Sequence, residues 1–542
     1  MIVTPLPILA YADIHYRFKY FFSYLKKREP EILADIPHRI EPNSSLPILL
    51  LVKDAHWYPI ELTKVSVHCF AKGKKIASFE NVLSELTAIN KKMWWKIAHI
   101  PFTDSLKDIF GFIDVDVHFT YKVNGKEKQC TNDNYRTTSK KSFLVFRAQE
   151  CLPSFEGWIQ GDAHTHSDYT DDHVEFGAPM EAGVELCKAI GISFFCVTDH
   201  SYDLDDHVDN FLLNDAELPK WNTFQNDVDA INAKEKLFAV IRGEEVSCWN
   251  GNKRNIHLLL FGTRKFFHGS GDSAEKWFQT KAEYTIEEVL AQKDPSTVAF
   301  AAHPTETAPF FQSLLIKRGE WSLHDMANDG LNGIQILNGV ANQAFIRGLA
   351  AWKKFLLQGR KIFIIAGNDA HGNFNRFRQV KIPFFYISEW DGQLFGQMRT
   401  ALRCEHADEE NILTAFRNGN AIITNGPLAV IEISNENTTA HIGETIFGTE
   451  FTLSIKGVST IEFGTFTHAK LFQGTIGQAE EILLSEFSLE NKLNFYQSMH
   501  ITNSETQSYI RLEACTEGGT GHFANGFCFT NPIWLNNKKL HV

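Results

Sequence analysis

The sequence predicts a multidomain α/β plus all-β protein, with a central run of alternating strands and helices between two β-rich regions. The chain has 542 residues, which is more than a single hydrophobic core usually organises. From about residue 155, apolar runs alternate with helix-length amphipathic segments, which indicates parallel βα units. The runs before and after are short and strand-like. We expect an N-terminal β-rich domain over 1–152, a central domain over 153–427 and a C-terminal β-rich domain over 428–542.

The two flanking regions are predicted to be β-sandwich-like. Leu46–Val52 and Ile113–Phe119 are β-branched-rich or alternate between apolar and polar residues, as strands do. Asn124-Gly125 is a signal for a hairpin turn. After residue 428 the same patterning returns, for example in Leu428–Ile433 and Tyr509–Ala514.

The central region has a different rhythm. A helix-like stretch at Met180–Ile190 precedes the apolar run Ile192–Thr198, and Asn342–Leu357 precedes Ile362–Ala366. Strands that alternate with helices in this way are typical of a parallel sheet or barrel.

Composition and charge exclude several classes of protein. The chain is 44% hydrophobic and 22% charged, as soluble globular proteins are. A net charge of −12 without basic stripes argues against nucleic-acid binding. No apolar run is long enough for a membrane span. Nine cysteines without a Cys-x-x-Cys pair favour reduced thiols and a cytoplasmic location.

Histidines and carboxylates cluster at the ends of the predicted central strands. A lone histidine at a strand end is more often structural than a ligand, but accident does not put such residues at successive strand ends. Since catalytic groups converge at the carboxyl ends of strands in βα barrels, we expect one shared site. The candidate metal ligands are His164, His166, Asp171, His200, Glu245, His257, His303, Asp369 and His371.

The residue types in this set favour divalent metal ions. Imidazole and carboxylate suit Zn, Mn or Fe. In His164-Thr165-His166 both rings lie on one side of an extended chain, because side chains repeat every two residues. The number of candidate ligands predicts two or three ions. Asp171 is preferred to Asp172 on spacing, and Glu244 is the weaker neighbour of Glu245.

These motifs resemble the PHP superfamily, named for its occurrence in polymerases and histidinol phosphatases, over roughly residues 155–390. The matching motifs are His164-x-His166, Asp199-His200, Gly243-x-Glu245-x-Ser247, His257, His303 and Asp369-x-His371. The resemblance implies a distorted (β/α)7 barrel with up to three metals.

The resemblance also implies how the ligands are shared. One metal would be held by His164, His166, Glu245 and Asp369. Glu245 would bridge to a second metal, held by His257 and His303. A third would take His200, His371 and a residue near Asp171, where members of the superfamily vary.

A narrower likeness is to the branch that includes carbaryl hydrolases. It lies in Trp158–His166, in the strand before Asp199-His200, and in 415–427. In that branch an additional β domain follows the barrel. The likeness implies a hydrolase.

The function expected is a metal-dependent hydrolase, with a phosphoesterase acting on a small phosphorylated molecule favoured over a carbamate, amide or carboxyl-ester hydrolase. Asp199 or His200 would move the proton as catalytic residues, and Asp162 would accept hydrogen bonds from ligand histidines. Substrate contacts are predicted at Lys253, Arg254, Arg376 and Arg378, with a solvated face as the alternative.

Two readings without this hydrolysis remain open. One is a non-catalytic, metal-containing binding protein, which the complete ligand set argues against. The other is direct nucleic-acid processing, which the acidic balance argues against. A small-molecule substrate is therefore the expected partner.

Overall fold

A computed structural model describes most of the chain and shows a mostly β protein. Within the described residues there are thirty-four strands and seven α-helices. None of these helices is both long and apolar enough to cross a membrane. The residues described are 28–83, 87–103, 106–135, 141–170, 177–273, 280–376, 379–382, 385–388 and 392–537.

The N-terminal region forms two facing sheets. Its strands are β1 (Glu31–Asp35), β2 (Arg39–Ile40), β3 (Leu46–Lys53), β4 (Ile60–Ala71), β5 (Lys74–Phe79), β6 (Thr87–Ile89), β7 (Met93–Ile100), β8 (Gly111–Val123), β9 (Lys126–Thr131) and β10 (Phe143–Arg147). One sheet has the order β1-β3-β7 and the other β2-β10-β8-β4-β5. Alternate residues of β8 are buried, and they join one apolar core with residues of β3 and β4. The β8–β9 hairpin turns at Asn124-Gly125, both with positive φ, as the sequence predicts.

The central region contains the helices. Its elements are β11 (Trp158–His166), α1 (Met180–Ile190), β12 (Phe194–Val197), α2 (Ser201–Leu204), β13 (Asp206–His207), β14 (Asn210–Asn214), α3 (Pro219–Lys234), β15 (Ala239–Trp249), β16 (Asn255–Phe261), α4 (Ile286–Gln292), β17 (Val298–Ala301), α5 (Phe310–Leu315), a 3-10 turn (Asp325–Ala327), β18 (Gly333–Asn338), α6 (Gln343–Leu357), β19 (Phe363–Gly367), β20 (Ala370–His371), β21 (Gln379–Ile382), β22 (Phe385–Ser388), β23 (Arg399–Arg403), α7 (Glu409–Asn418) and β24 (Ala421–Thr424).

Local signals explain where these helices begin and end. Thr285 and Glu288 form a capping box at the start of α4, which satisfies backbone donors that the first turn leaves free. Gly191 ends α1 with a φ of 100°, a conformation that glycine adopts without steric cost.

The C-terminal region is entirely β within its described residues. Its strands are β25 (Leu428–Ser434), β26 (Thr439–His441), β27 (Thr445–Phe447), β28 (Glu450–Val458), β29 (Thr465–Thr475), β30 (Ile482–Lys492), β31 (Asn494–Thr502), β32 (Gln507–Glu517), β33 (Asn525–Thr530) and β34 (Ile533–Asn536). The sheet β26-β25-β28-β31 shares an apolar core with β29 and β32.

The predicted (β/α)7 barrel is wrong. Strands β11, β12 and β15 pair in parallel, but β15, β16 and β17 pair antiparallel, and no helix separates β15 from β16. On its other side β11 pairs antiparallel with β23, and the order continues through β24 and β33 to β32, β29 and β30. Sixteen of the described strands therefore form one mixed sheet that runs into the C-terminal region. A buried strand is continuously apolar whether it pairs in parallel or antiparallel. The sequences of these strands therefore did not reveal the antiparallel part of the sheet.

Candidate metal centre

The cluster is built on β11, where the strand carries His164 and His166. Both side chains are buried, and their rings lie 5.4 Å apart between centroids. Strand β11 pairs in parallel with β12, and its last two residues pair in parallel with the short β20. Asp199-His200 follows β12 after one residue, Thr198, and β20 ends at His371. Pairing of neighbouring strands therefore brings these three motifs together.

Glu245 on β15 lies at the centre of the cluster, fully buried. Its Oε2 atom lies 3.2 Å from His164 Nε2, 3.4 Å from His166 Nε2 and 3.2 Å from His200 Nδ1. Its Oε1 atom lies 2.7 Å from His257 Nδ1 and 3.3 Å from His303 Nε2. The two oxygens of this carboxylate thus face two different sets of imidazoles.

Asp369 and His371 complete the cluster from the segment after β19. Asp369 Oδ1 lies 3.1 Å from His166 Nε2 and 3.5 Å from His164 Nε2. The His371 ring stacks on His166 at 4.1 Å between centroids. Asp369 has a φ of 53° and His303 a φ of 27°. Such backbone costs about 1–3 kcal/mol per residue and concentrates at functional sites.

Three overlapping groups of these side chains have ligand atoms within 4.8 Å of one another. Because His166, His200 and Glu245 each belong to two groups, the cluster is one continuous donor set. The groups are His164, His166, Glu245 and Asp369; His166, His200 and His371; and His200, Glu245 and His257. Imidazoles and carboxylates at this spacing fit Zn, Mn or Fe.

The charges within the cluster depend on one another. Burial alone would lower the pKa of His164, but Glu245 and Asp369 raise it to about 9. Burial likewise opposes the charged form of His257, whose pKa Glu245 and Asp272 raise to about 10. Burial would raise the pKa of Glu245, yet the surrounding imidazoles hold it well below its usual value. Carboxylates this close to the imidazoles favour a positive charge, from a proton or a metal ion, at the imidazole nitrogens.

Groups outside the cluster orient two of the histidines. Gln335 Oε1 accepts from His164 Nδ1 at 2.8 Å, which turns Nε2 of that ring towards Glu245. Asp272 Oδ2 accepts from His257 Nε2 at 3.0 Å, which leaves Nδ1 facing Glu245. Such partners fix the ring and its tautomer in metal sites.

Asp272 is itself held by two side chains. Ser247 Oγ donates to its Oδ1, and Arg318 Nε donates to its Oδ2 at 3.0 Å. A second Arg318 nitrogen lies 2.8 Å from His257 Nε2, and we assign the proton of that ring nitrogen to the bond with Asp272. Ser247 belongs to the Gly243-x-Glu245-x-Ser247 motif, whose serine therefore supports His257 through Asp272.

Asp162 and Asp199 act on the backbone around the cluster. Asp162 accepts from the amides of His164 at 3.2 Å, Asn368 at 3.1 Å and Gly396 at 2.9 Å. It thus holds the main chain beside the ligands, whereas the sequence predicted a bond to their rings. Asp199 accepts from Ser167 N at 2.7 Å and Thr170 Oγ1 at 2.9 Å, so its carboxylate fixes the turn after His166.

The predicted substrate residues lie elsewhere. Lys253 is exposed in the turn between β15 and β16. Arg254 donates to the carbonyl of Ser313 at 2.7 Å, and Arg376 is buried beside Asp35, with 3.2 Å between Nε and Oδ2. Asp171 and Arg378 lie outside the described residues.

Sequence reasoning did not find Asp272, Gln335 or Arg318. Asp272 lies in the loop between β16 and α4, and Arg318 follows α5, at no fixed spacing from the histidines. The available signal was the polar Gln335 inside the apolar run Ile334–Leu337, because a buried polar side chain needs a partner.

Comparisons with known proteins identify no relative. No protein-family model matches the chain, and no curated protein sequence does. Over 98% of its length the chain is similar to an E. coli alpha-2-macroglobulin at 8% identity and a TM-score of 0.16, and it covers 23% of that chain. It thus spans about a quarter of the length of that protein.

Two glycosidase structures are also similar, and at the same low level. Against a putative beta-galactosidase from Bacteroides fragilis the identity is 8% and the TM-score 0.17, covering 93% of this chain and 73% of that one. Against a beta-D-mannosidase from Dictyoglomus thermophilum the identity is 9% and the TM-score 0.20, covering 92% of this chain and 74% of that one. TM-scores this low carry no argument about function, and the PHP resemblance stays a prediction.

Proposed function

We propose that the protein is a metal-dependent hydrolase that cleaves phosphate esters of small molecules. The observation that carries the proposal is the Glu245 carboxylate, whose Oε2 faces His164, His166 and His200 and whose Oε1 faces His257 and His303. A buried carboxylate between two imidazole sets could hold a pair of neighbouring cations.

The chain's own residues would hold, orient and shield the reacting groups. His164, His166, Glu245 and Asp369 form one donor set, and Glu245, His257 and His303 a second. Divalent cations bound there would supply charge stabilisation and the activation of water. Gln335 and Asp272 keep the ring nitrogens aimed inwards. A proton-transfer role for His200 stays a prediction, as does the one for Asp199.

A second candidate is the hydrolysis of a carbamate, amide or carboxyl ester. It is favoured by the contacts of Arg254 and Arg376, which bind the Ser313 carbonyl and the Asp35 carboxylate. In a phosphate-binding site such cations usually contact the phosphate group directly. The guanidinium of Arg318, beside His257, supports the phosphate reading instead.

The test is a hydrolysis assay on protein stripped by a chelator and reloaded with Zn or Mn. The substrates are p-nitrophenyl phosphate, its bis-ester and an aryl N-methylcarbamate. His164→Ala removes a buried donor of the cluster, and His324→Ala is the matched control because His324 is exposed. We expect metal-dependent phosphate release that His164→Ala abolishes and His324→Ala preserves.

The other outcomes separate the alternatives. Carbamate cleavage without phosphate cleavage would replace the first candidate by the second. Stoichiometric metal binding with no cleavage of any substrate would overturn both in favour of a binding protein.

A further inference from the structure

His38 lies where the three regions of the chain meet. Its amide donates to Phe374 O at 3.2 Å in the central region, and its carbonyl accepts from Phe146 N at 2.8 Å within the N-terminal sheets. His522 Nε2, in the loop between β32 and β33, donates to the same carbonyl oxygen at 2.8 Å. This one residue therefore links the N-terminal sheets to the C-terminal region and to the segment that follows His371.

The side chain of His38 is enclosed by this junction. The residue is 3% exposed, and its Nδ1 atom is buried with no hydrogen-bond partner among the described residues. The His38 and His522 rings lie 5.3 Å apart between centroids, and Phe112 packs against His522 at 5.1 Å. A protonated imidazole carries a hydrogen on each nitrogen, so Nδ1–H would be a buried donor without an acceptor, which is unfavourable.

Three titratable or charged groups of the described elements act on His38, and Arg399 on β23 is one of them. Arg399 is 1% exposed. It donates to Gln160 Oε1 at 2.9 Å and to the Gly396 carbonyl at 3.0 Å. Both acceptors are neutral and do not cancel the charge of the guanidinium, which therefore opposes a second positive charge at His38.

Arg39 and His522 are the other two groups. Arg39 on β2 pairs with Glu462 and Glu41, each at 2.8 Å, so these two carboxylates are engaged by the guanidinium. Burial lowers the pKa of His522, which favours its neutral form. The surroundings of His38 thus contain two cations and a second imidazole.

We propose that the junction around His38 loosens in mild acid, because a proton taken up by His38 separates the N-terminal sheets from the segment after His371 and from the His522 loop. This behaviour is independent of the proposed hydrolase function, since the contacts concerned lie outside the metal cluster.

The pKa of His38 gives the direction of the effect. Burial, His522, Arg399 and Arg39 hold it well below its usual value, and the backbone bond to Phe374 opposes them. In the open junction the ring returns to an ordinary pKa of about 6.5. Below that pH the open form takes up a proton that the closed form does not, so the closed form loses stability as the pH falls. From pH 7.5 to pH 5.5 the population of the open form should rise about tenfold.

Asp35 acts in the opposite sense at the same junction. Burial raises the pKa of its carboxyl to about 6 from an ordinary 3.8, although Arg376 and the amide of Phe374 lower it. The closed form therefore takes up this proton first, and Asp35 stabilises the closed junction as the pH falls through 6. The contribution of His38 has to be isolated by substitution of His38 alone.

Hydrogen–deuterium exchange of the full chain, resolved to single amides at pH 7.5 and pH 5.5, measures the opening. The reporters are the amide of residue 38, which is bonded to Phe374 O, and the amide of Phe146, which is bonded to the carbonyl of residue 38. His38→Phe removes the titrating group and keeps a ring. His324→Phe is the matched control because His324 is exposed. Strand β28 is the internal reference, since it lies in the separate sheet β26-β25-β28-β31.

After correction for intrinsic exchange, we expect the loss of protection between pH 7.5 and pH 5.5 to be about tenfold greater in the wild type and in His324→Phe than in His38→Phe. The amides of β28 should respond alike in all three proteins. If His38→Phe does not fold, His38→Gln takes its place, because it also lacks a titrating group. An equal loss at the reporters with and without His38 would overturn the inference. A loss that depends on His38 and is as large throughout β28 would also overturn it, because the whole chain and not the junction would then be opening.

Discussion

Two adjacent glutamates on β15 have opposite electrostatic surroundings. Glu245 lies among imidazoles that hold its pKa well below the usual value. Glu244 points the other way and accepts from Ser201 Oγ at 2.8 Å and Phe267 N at 3.1 Å. Burial raises the pKa of Glu244 well above its usual value. The imidazoles therefore favour the charged form of Glu245, whereas burial favours the neutral form of Glu244.

This contrast predicts different effects of the same substitution. Glu245→Gln removes a charge between two donor sets, and we expect metal affinity to fall by about a hundredfold or more, with activity lost in parallel. Glu244→Gln changes a side chain that faces Ser201 and Phe267 and not the imidazoles, so both properties should change little. Competition with a chelating dye measures the affinity. Equal loss in the two variants would refute the bridging role of Glu245.

Asp272 orients His257, and this contact leads to a second prediction. Asp272→Asn weakens the acceptor that orients His257 and removes the charge opposite Arg318. We expect metal affinity to fall by about 10–100-fold. This loss of metal affinity is measured as the metal content per chain after dialysis against a chelator. Asp294→Asn, in an exposed turn, is the control and should retain wild-type content.

At the scale of elements, several predicted helices and strands lie where the sequence places them. Helix α1 covers Met180–Ile190, and β12 and β19 overlap the predicted apolar runs Ile192–Thr198 and Ile362–Ala366. Amphipathic periodicity and apolar runs are local properties, so the sequence reveals them. Pairing direction is a non-local property. The antiparallel β15–β16 pair and the junction of β24 with β33 depend on partners that no local pattern specifies.

A glycine on β19 permits close contact between that strand and β11. A Cβ atom at Gly367 would lie 2.6 Å from His164 Cβ and 2.7 Å from His164 N. Since that contact involves backbone, His164 must move to accept the methyl group. We expect Gly367→Ala to lower metal content and the temperature of unfolding, measured by mass spectrometry and calorimetry. Gly251→Ala has no atom within 4 Å of its Cβ and should be tolerated. A wild-type metal content in Gly367→Ala would show that this close contact is not required.

At the scale of the whole molecule, buried charges join the three regions. Arg39 of β2 donates to both oxygens of Glu462 in the C-terminal region, at 2.8 and 2.9 Å, and to the Ile190 carbonyl in the central region. Asp35 of β1 accepts from the amides of Phe374 at 2.9 Å and Asn375 at 3.0 Å. The N-terminal sheets therefore contact the segment that follows His371.

Loss of this junction should destabilise the whole chain. Arg39→Leu leaves Glu462 buried without its partner, which costs about 3–5 kcal/mol for such pairs. We expect the midpoint of thermal unfolding to fall by several degrees. Arg264→Leu breaks an exposed pair with Asp229, where the cost is about 1 kcal/mol or less. Equal midpoints for the two variants would contradict a structural role for Arg39.

The clustering of the candidate ligands was more predictable than the fold. Most of them come from motifs of adjacent or alternating residues, whose spacing is visible in sequence, whereas His257 and His303 are single positions on or after predicted strands. The supporting residues Gln335, Asp272 and Arg318 come from separate segments, because the folded chain, and not a local motif, brings them to His164 and His257.

The bridging role of Glu245 is tested most directly by anomalous X-ray scattering from crystals loaded with Zn or Mn. We predict at least two peaks about 3.5–4 Å apart, one beside each oxygen of Glu245, with His164 at the first and His257 at the second. A single peak that lies beside neither oxygen, or peaks that lie only outside the cluster, would contradict the bridging role of Glu245.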